Sequence, residues 1–338
     1  KNKTQENIDT VFVNYSLKAK LSFSTKNKLV LKDTLNEIEI YKLEQPIKPG
    51  DSIQMRFEVS NKPNSMFHNE SPVLENGTFL NNSIFPSFGY DAQSEIMDDD
   101  IRKKYGLKAK ERMPLATDSI ARMNTYISND SDWINFETTV STSSDQTAIA
   151  PGYLQKKWQQ NDRNYFHYKM DKKILNFYAF NSARYEVKKD TYKGINLEIY
   201  YHKGHEYNLD RMIKGMKKSL EYYTSNFSPY QFKQLRIVEF PRDMGTFAQS
   251  FANTIPFSEA IGFIAQVDDT DPNGVDYPFS VTSHETAHQW WAHQVIGANV
   301  QGATMLSESL SEYSSLKVLE HQYGKHQMRK FLKDALDK

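Results

Sequence analysis

The stretch His284-Glu285-Thr286-Ala287-His288 constrains this chain more than any other part of it. On a helix of 3.6 residues per turn, positions four apart lie one above the other, so the imidazoles of His284 and His288 converge on one point. Two neutral imidazoles aimed at one point suit zinc, which in catalytic sites takes three protein ligands and keeps a fourth position for water. Glu285, one residue after the first histidine, stands where a carboxylate acts as general base on water whose pKa the metal lowers. The pattern predicts one Zn²⁺ per chain and a metal-assisted hydrolysis. It also demands a second element, packed against this helix, to supply the third ligand.

Three downstream residues are candidates: His293, Glu308 and Glu312. A metzincin site needs Gly and His three and six residues after the second histidine, but Trp291 and Gln294 stand there, which excludes that class. His293 is five residues past His288, about 140° around a helix, so it points away from the metal and reads as a packing or substrate-side residue. Thr304 to Leu319 reads as a second helix with an apolar stripe of Leu306, Leu310, Tyr313 and Leu316. Glu308 and Glu312 share one of its faces, so one can bind the metal while the other accepts the free N–H of a ligand histidine.

His284–His288 followed by Gln289-Trp290-Trp291, then Leu306-Ser307-Glu308 with Tyr313 five residues on, resembles the gluzincin M1 family of zinc peptidases, the aminopeptidase N and leukotriene A4 hydrolase group. The resemblance implies that Glu308 is the third ligand and Glu312 the carboxylate behind it. The gap from His288 to Glu308 is one residue longer than the family's, which an insertion around Gly297–Gly302 accounts for. Upstream, Pro256-Phe257-Ser258-Glu259-Ala260-Ile261-Gly262 resembles the strand with which family aminopeptidases hold the free α-amine of a substrate. It departs from that strand's pattern at Pro256, Ser258 and Ala260. By this resemblance Glu259 is the amine anchor, flanked by Ser258 and Ala260 in the substrate site. Pro256 suits an edge strand, whose free side can pair with an extended peptide. A second anchor is expected near Glu75 and Asn76, ahead of Phe85-Pro86-Ser87-Phe88. The family's transition-state tyrosine would fall beyond Lys338, so the chain is expected to be a piece of a longer protein. It also resembles the peptidase-like domains that some bacteria fuse to ABC-transporter permeases, which implies an extracytoplasmic or membrane-tethered location.

The remaining sequence sets the frame. Residues 9–200 are rich in alternation and turns, with strands expected at Asp9–Phe23, Ile38–Leu43, Ser52–Val59, Ile134–Val140, Asn164–Met170 and Ile174–Val187. Asp98–Ile120 is a charged, weakly helical insertion whose Asp98-Asp99-Asp100 reads as solvated rather than calcium-binding, since no spaced ligands surround it. From Asn208 the period becomes helical, with Leu209, Met212, Ile213, Met216, Leu220 and Tyr223 on one stripe. Strands follow at Phe232–Glu239 and Phe257–Gln266, then a loop from Asp268 to Gly274. The expected fold is α+β: a mostly antiparallel, saddle-like β domain over 1–195, then a thermolysin-like zinc-peptidase domain over 196–338, incomplete at its C-terminus.

Lys+Arg and Asp+Glu balance at 42 each and are spread along the chain, so nothing marks nucleic acid or an anionic membrane as a partner. The absence of Cys excludes disulfides, thiolate ligands and cysteine catalysis. No apolar run approaches the roughly 18 residues a membrane helix needs, so this segment does not insert directly, and any tether lies outside it. Two functions fit: a zinc aminopeptidase acting on peptide substrates, or a peptide-binding or regulatory module on a peptidase scaffold. The intact Glu285 favours the first.

Overall fold

The computed structural model describes residues 1–15, 19–60, 73–74, 76–89, 95–110, 113–127, 133–271 and 274–337. They form two compact units, one of residues 1–71 and 82–114 and one of residues 72–81 and 115–338. Position 195 lies inside the second unit, just after the Lys193-Gly194 turn of a hairpin.

The first unit is built on an antiparallel sheet in the order Asn27–Asp33, Ile38–Ile47, Ile8–Asn14 and Ser87–Phe88. Alternate residues of the central strands, Val11, Val13, Tyr41 and Leu43, fill its core. The strand expected over Asp9–Phe23 is two strands, Ile8–Asn14 and Ala19–Phe23, in different sheets; the second pairs with Met55–Val59. In the charged insertion, Asp98 caps a short helix, Asp99–Lys104, by accepting from the Ile101 amide at 2.9 Å.

In the second unit a three-stranded antiparallel sheet joins Glu137–Ser143, Arg163–Lys169 and Tyr153–Gln160. The strand expected over Ile174–Val187 is broken into Ile174–Leu175, Ala179–Ala183 and Tyr185–Tyr192, which serve three sheets. The sheet that carries the helices has four strands, β1 (Tyr185–Tyr192), β2 (Ile195–His202), β3 (Gln234–Phe240) and β4 (Thr254–Ser258). β1 and β2 are an antiparallel hairpin; β3 and β4 run parallel to β2.

Helix α1 (Leu209–Asn226) crosses from β2 to β3. All six apolar residues read from its period are buried, against Leu197, Ile199, Leu235, Ile237 and Ile255 of the sheet. Helix α2 (Tyr277–Ala287) starts at an Asp276 cap, with Pro278 in its first turn, and is buried on most sides. It packs on α1 at Gly215, where a Cβ would lie 3.0 Å from Thr282 Cγ2 and 3.2 Å from the Phe279 carbonyl. α3 (Glu308–Tyr323) and α4 (Lys325–Asp337) follow, broken at Gly324 in the left-handed region, φ 84°.

The helix read from Thr304 begins at Glu308, after a 3₁₀ turn over Ala303–Leu306, and its buried face coincides with the expected apolar stripe only at Leu316. Of the expected stripe, Leu306 and Tyr313 are exposed, Leu310 is half-buried and Leu316 is buried; the rest of the buried face is Ser311, Ser314, Ser315, Val318 and Leu319. Small residues face α2 because two helices bringing ligands to one point must approach closely, and Trp291 Nε1 donates to Ser314 Oγ across the contact at 2.9 Å. The strand expected over Phe257–Gln266 stops at Ser258, where the Gly262 amide turns back to the Ser258 carbonyl and that of Phe263 to Glu259. Among the described residues no helix is long and apolar enough to cross a membrane.

Candidate metal centre

The last turn of α2 and the first turn of α3 bring together three residues far apart in sequence. His284 Nε2 and His288 Nε2 lie 3.1 Å apart, and Glu308 Oε2 is 3.6 Å and 3.5 Å from them. Ligands about 2.0–2.1 Å from a tetrahedral zinc stand about 3.4 Å from one another, so this triangle has a metal's dimensions.

The second partner of each imidazole decides its tautomer. His284 Nδ1 meets the Glu312 carboxylate at 2.8 Å, and His288 Nδ1 meets the Trp291 carbonyl at 3.1 Å and Ser311 Oγ at 3.0 Å. A carboxylate and a carbonyl only accept, so both Nδ1 atoms carry the proton. Both Nε2 atoms therefore face the same spot, where a proton shared across the 3.1 Å gap or a cation can sit between them. Burial alone disfavours a charged His284, but Glu308 and Glu312 outweigh it and raise its pKa to about 10. His284 and His288 in turn hold the Glu308 carboxyl well below the usual carboxylate range. The donor set fits zinc, with His284, His288 and Glu308 as the residues that would hold it.

Glu285 is 6 % exposed, and its Oε2 is buried with no hydrogen-bond partner among the described residues. Burial pushes its carboxyl above the ordinary value, against the pull of His288 and His284. It faces a cavity of about 280 Å³ whose floor includes His284, His288 and Glu308.

The walls of this cavity come from residues the motif reading did not find. Tyr126 lines it and bonds Ser307 Oγ through its hydroxyl. Segment 124–126 is held there by pairing with the loop after α2, with Tyr126 N donating to the Gly297 carbonyl at 3.2 Å and Asn299 N to Asn124 at 2.8 Å. Opposite runs Ala248–Ser250, which pairs antiparallel with the outer edge of β4 through Gln249 N to Pro256 O, 3.0 Å, and Ser258 N to Phe247 O, 2.9 Å. β4 is thus an edge strand within its sheet, but its free side is already taken. Ala248, paired with Phe257 between these two bonds, turns its own amide and carbonyl away from β4, and it lines the cavity. Gln289, fully buried beside His288, fastens this wall by donating to Ser250 Oγ at 2.6 Å and Phe251 O at 2.8 Å. No local signal marks Tyr126 or Ala248–Ser250, because neither belongs to a motif with chemistry of its own.

Other expected residues lie elsewhere. His293 is buried and its Nε2 donates to the Ser250 carbonyl at 3.0 Å, away from the metal triangle. Ser258, Glu259 and Ala260 are not brought to this cavity: Ser258 ends β4, Ala260 is in the following turn, and Glu259 accepts from the Arg242 amide at 3.1 Å in a cluster with His205 and Glu239. The reason is the early end of β4, which puts the Glu259 segment past the strand rather than along its edge. Asn76 borders a different cavity with Arg184, His202 and Asp243, and Glu75 lies outside the described residues.

No protein-family model and no curated protein sequence matches the chain. Solved structures do. An M1 zinc metallopeptidase from Deinococcus radiodurans superimposes with a TM-score of 0.61 at 14% identity, over 98% of this chain and 68% of that one. A mutant of a two-domain M1 zinc metallopeptidase bound to L-arginine matches with a TM-score of 0.58 at 14% identity, and a mutant of the Deinococcus radiodurans enzyme bound to a Tyr-Ser-Ala substrate with 0.60 at 14%; both cover the same shares of the two chains. Over nearly its whole length, this chain has the fold of the M1 zinc metallopeptidases.

Proposed function

We propose that this protein is a zinc-dependent peptidase that removes residues from the free N-terminus of peptides. The observation that carries the reading is the convergence of His284 Nε2, His288 Nε2 and Glu308 Oε2 on one spot, beside the unshared carboxylate oxygen of Glu285. Zinc bound there would polarise the scissile carbonyl and lower the pKa of the attacking water. Glu285 takes the proton of that water and returns it to the departing amine, a role its raised pKa suits. The backbone of Ala248 offers an amide and a carbonyl to an extended substrate, which would lie as an added strand along the wall opposite Tyr126. Gln249 Oε1, buried in this wall without a partner among the described residues, is the acceptor available to a substrate α-amine. The M1 structures bound to single amino acids and to Tyr-Ser-Ala support a peptide as the substrate class.

The test compares free and N-acetylated peptides with zinc-loaded protein. Cleavage of the free peptides alone is expected. Equal cleavage of both rejects the N-terminal specificity, and cleavage of neither rejects the peptidase. Glu285→Gln is expected to retain the wild-type zinc content while hydrolysis falls by at least about 10², the lower end of what a positioned general base contributes.

A further inference from the structure

We propose that His205, Glu239 and Glu259 form a second binding site for a divalent metal of the zinc class, at the ends of β2, β3 and β4. Each offers a ligand atom, and these atoms all lie within 4.8 Å of one another. His205 stands just past β2, Glu239 is the penultimate residue of β3, and Glu259 directly follows β4. Three adjacent strands, each extending to the same level, deliver one ligand apiece.

The charge balance argues for a cation. Glu239 is 0 % exposed and Glu259 7 %, so two carboxylates are removed from water side by side. Their direct partners are His205 Nδ1 and the backbone amide of His202 on Glu239, and the backbone amide of Arg242 on Glu259. The nearest permanent cation is Arg242, whose Nε is 4.0 Å from Glu259 and whose side chain is 65% exposed to solvent. Burying two carboxylates against so little positive charge is costly, and a divalent ion compensates both.

A second observation points the same way. His202, at the end of β2, has an Nε2 atom that is buried with no hydrogen-bond partner among the described residues, and its ring centroid is 5.9 Å from that of His205. An imidazole nitrogen left bare next to a carboxylate-rich cluster is a fourth potential donor. One or two imidazoles with two carboxylates suit zinc, whereas calcium wants six to eight oxygens and magnesium an octahedron with several waters. The role is structural: the ion would clamp the three strand ends and, through the Arg242 amide on Glu259, the loop that leads from Pro241 to the cavity wall at Ala248.

The test removes the first centre so that only the second can report. In a His284→Ala, His288→Ala background, zinc titrated into the chelator-stripped protein is expected to bind at one equivalent and raise the unfolding temperature. Adding His205→Ala, at a half-buried position that folding tolerates, should weaken that binding by at least about tenfold, with a further loss on Glu259→Gln. Circular dichroism confirms that each variant is folded. Absence of zinc binding in the folded double-alanine background overturns the proposal. So does binding that neither His205→Ala nor Glu259→Gln weakens. These outcomes are independent of whether the first centre hydrolyses peptides.

Discussion

At the scale of single residues, the candidate centre is held by groups that would not themselves touch a bound metal. Glu312 holds the His284 ring through Nδ1 at 2.8 Å, and its removal leaves that ring free to turn and to exchange tautomers. Glu312→Ala is expected to lower zinc affinity about 10- to 100-fold without unfolding the protein, measured by competition with a chromogenic chelator. His293 makes a different prediction. Burial pushes its pKa down to about 4, against the pull of the Ser250 carbonyl, and its Nδ1 has no partner among the described residues. The unfolded chain, with His near 6.5, binds this proton first, so stability is full above about 6.5 and is lost as pH falls towards 4. The loss is about 3 kcal/mol at about 1.4 kcal/mol per unit. His293→Gln keeps a donor for Ser250 and removes the titration, so its denaturant midpoint should fall less steeply than wild type between pH 6.5 and 4. Parallel curves for the two proteins would reject this account. The motif residues themselves were legible from spacing alone, because i and i+4 on a helix fix a geometry. Tyr126 and Gln249 were not, because their places beside the cavity come only from where the chain returns.

At the scale of elements, legibility followed periodicity. The α1 stripe from Leu209 to Tyr223 read correctly because a helix covering a sheet must bury one continuous apolar face. The stripe expected over α3 was only partly right: Leu306 lies before the helix and Tyr313 is exposed, while Leu316 is buried together with Val318, Leu319 and three serines. α3 buries Val318 and Leu319 in the core by the usual rule, and its serines lie where close approach to the α2 side is needed. The α1–α2 contact has the same character at Gly215, whose missing Cβ leaves room for Thr282 and the Phe279 carbonyl. Gly215→Leu is expected to cost about 1–3 kcal/mol by overpacking, despite the better helix propensity of Leu, and to weaken zinc binding as α2 is displaced. Chemical denaturation together with metal titration checks both. Long strands were misjudged for a physical reason too: alternation continues through Ile174–Val187, yet the chain divides that stretch among three sheets.

At the scale of the whole molecule, the chain comprises two compact units, and both histidine–carboxylate clusters belong to the second. Zinc is therefore expected to stabilise one of two calorimetric transitions and leave the other in place. At free zinc a thousandfold above the dissociation constant of a site the gain is about 4 kcal/mol, and a chelator should reverse it. A uniform shift of both transitions would contradict the assignment of the sites to one unit.

The amino-acid sequence by itself determined that a helix would carry two imidazoles to one point with a carboxylate beside them, since these relations are local and repeat with the turn of a helix. It also determined the apolar stripe of α1 and the change from strand-rich to helical pattern. The resemblance already named Glu308 and Glu312 as partners of those imidazoles, but only the tertiary structure decided that Ser311 joins them, that Ala248–Ser250 rather than the Glu259 segment forms the cavity wall, and that Glu259 joins His205 and Glu239 instead. Such contacts depend on where strands stop and which edges are already paired. The turn after Ser258 and the Gln249–Pro256 bond made those choices, and no period in the sequence records them.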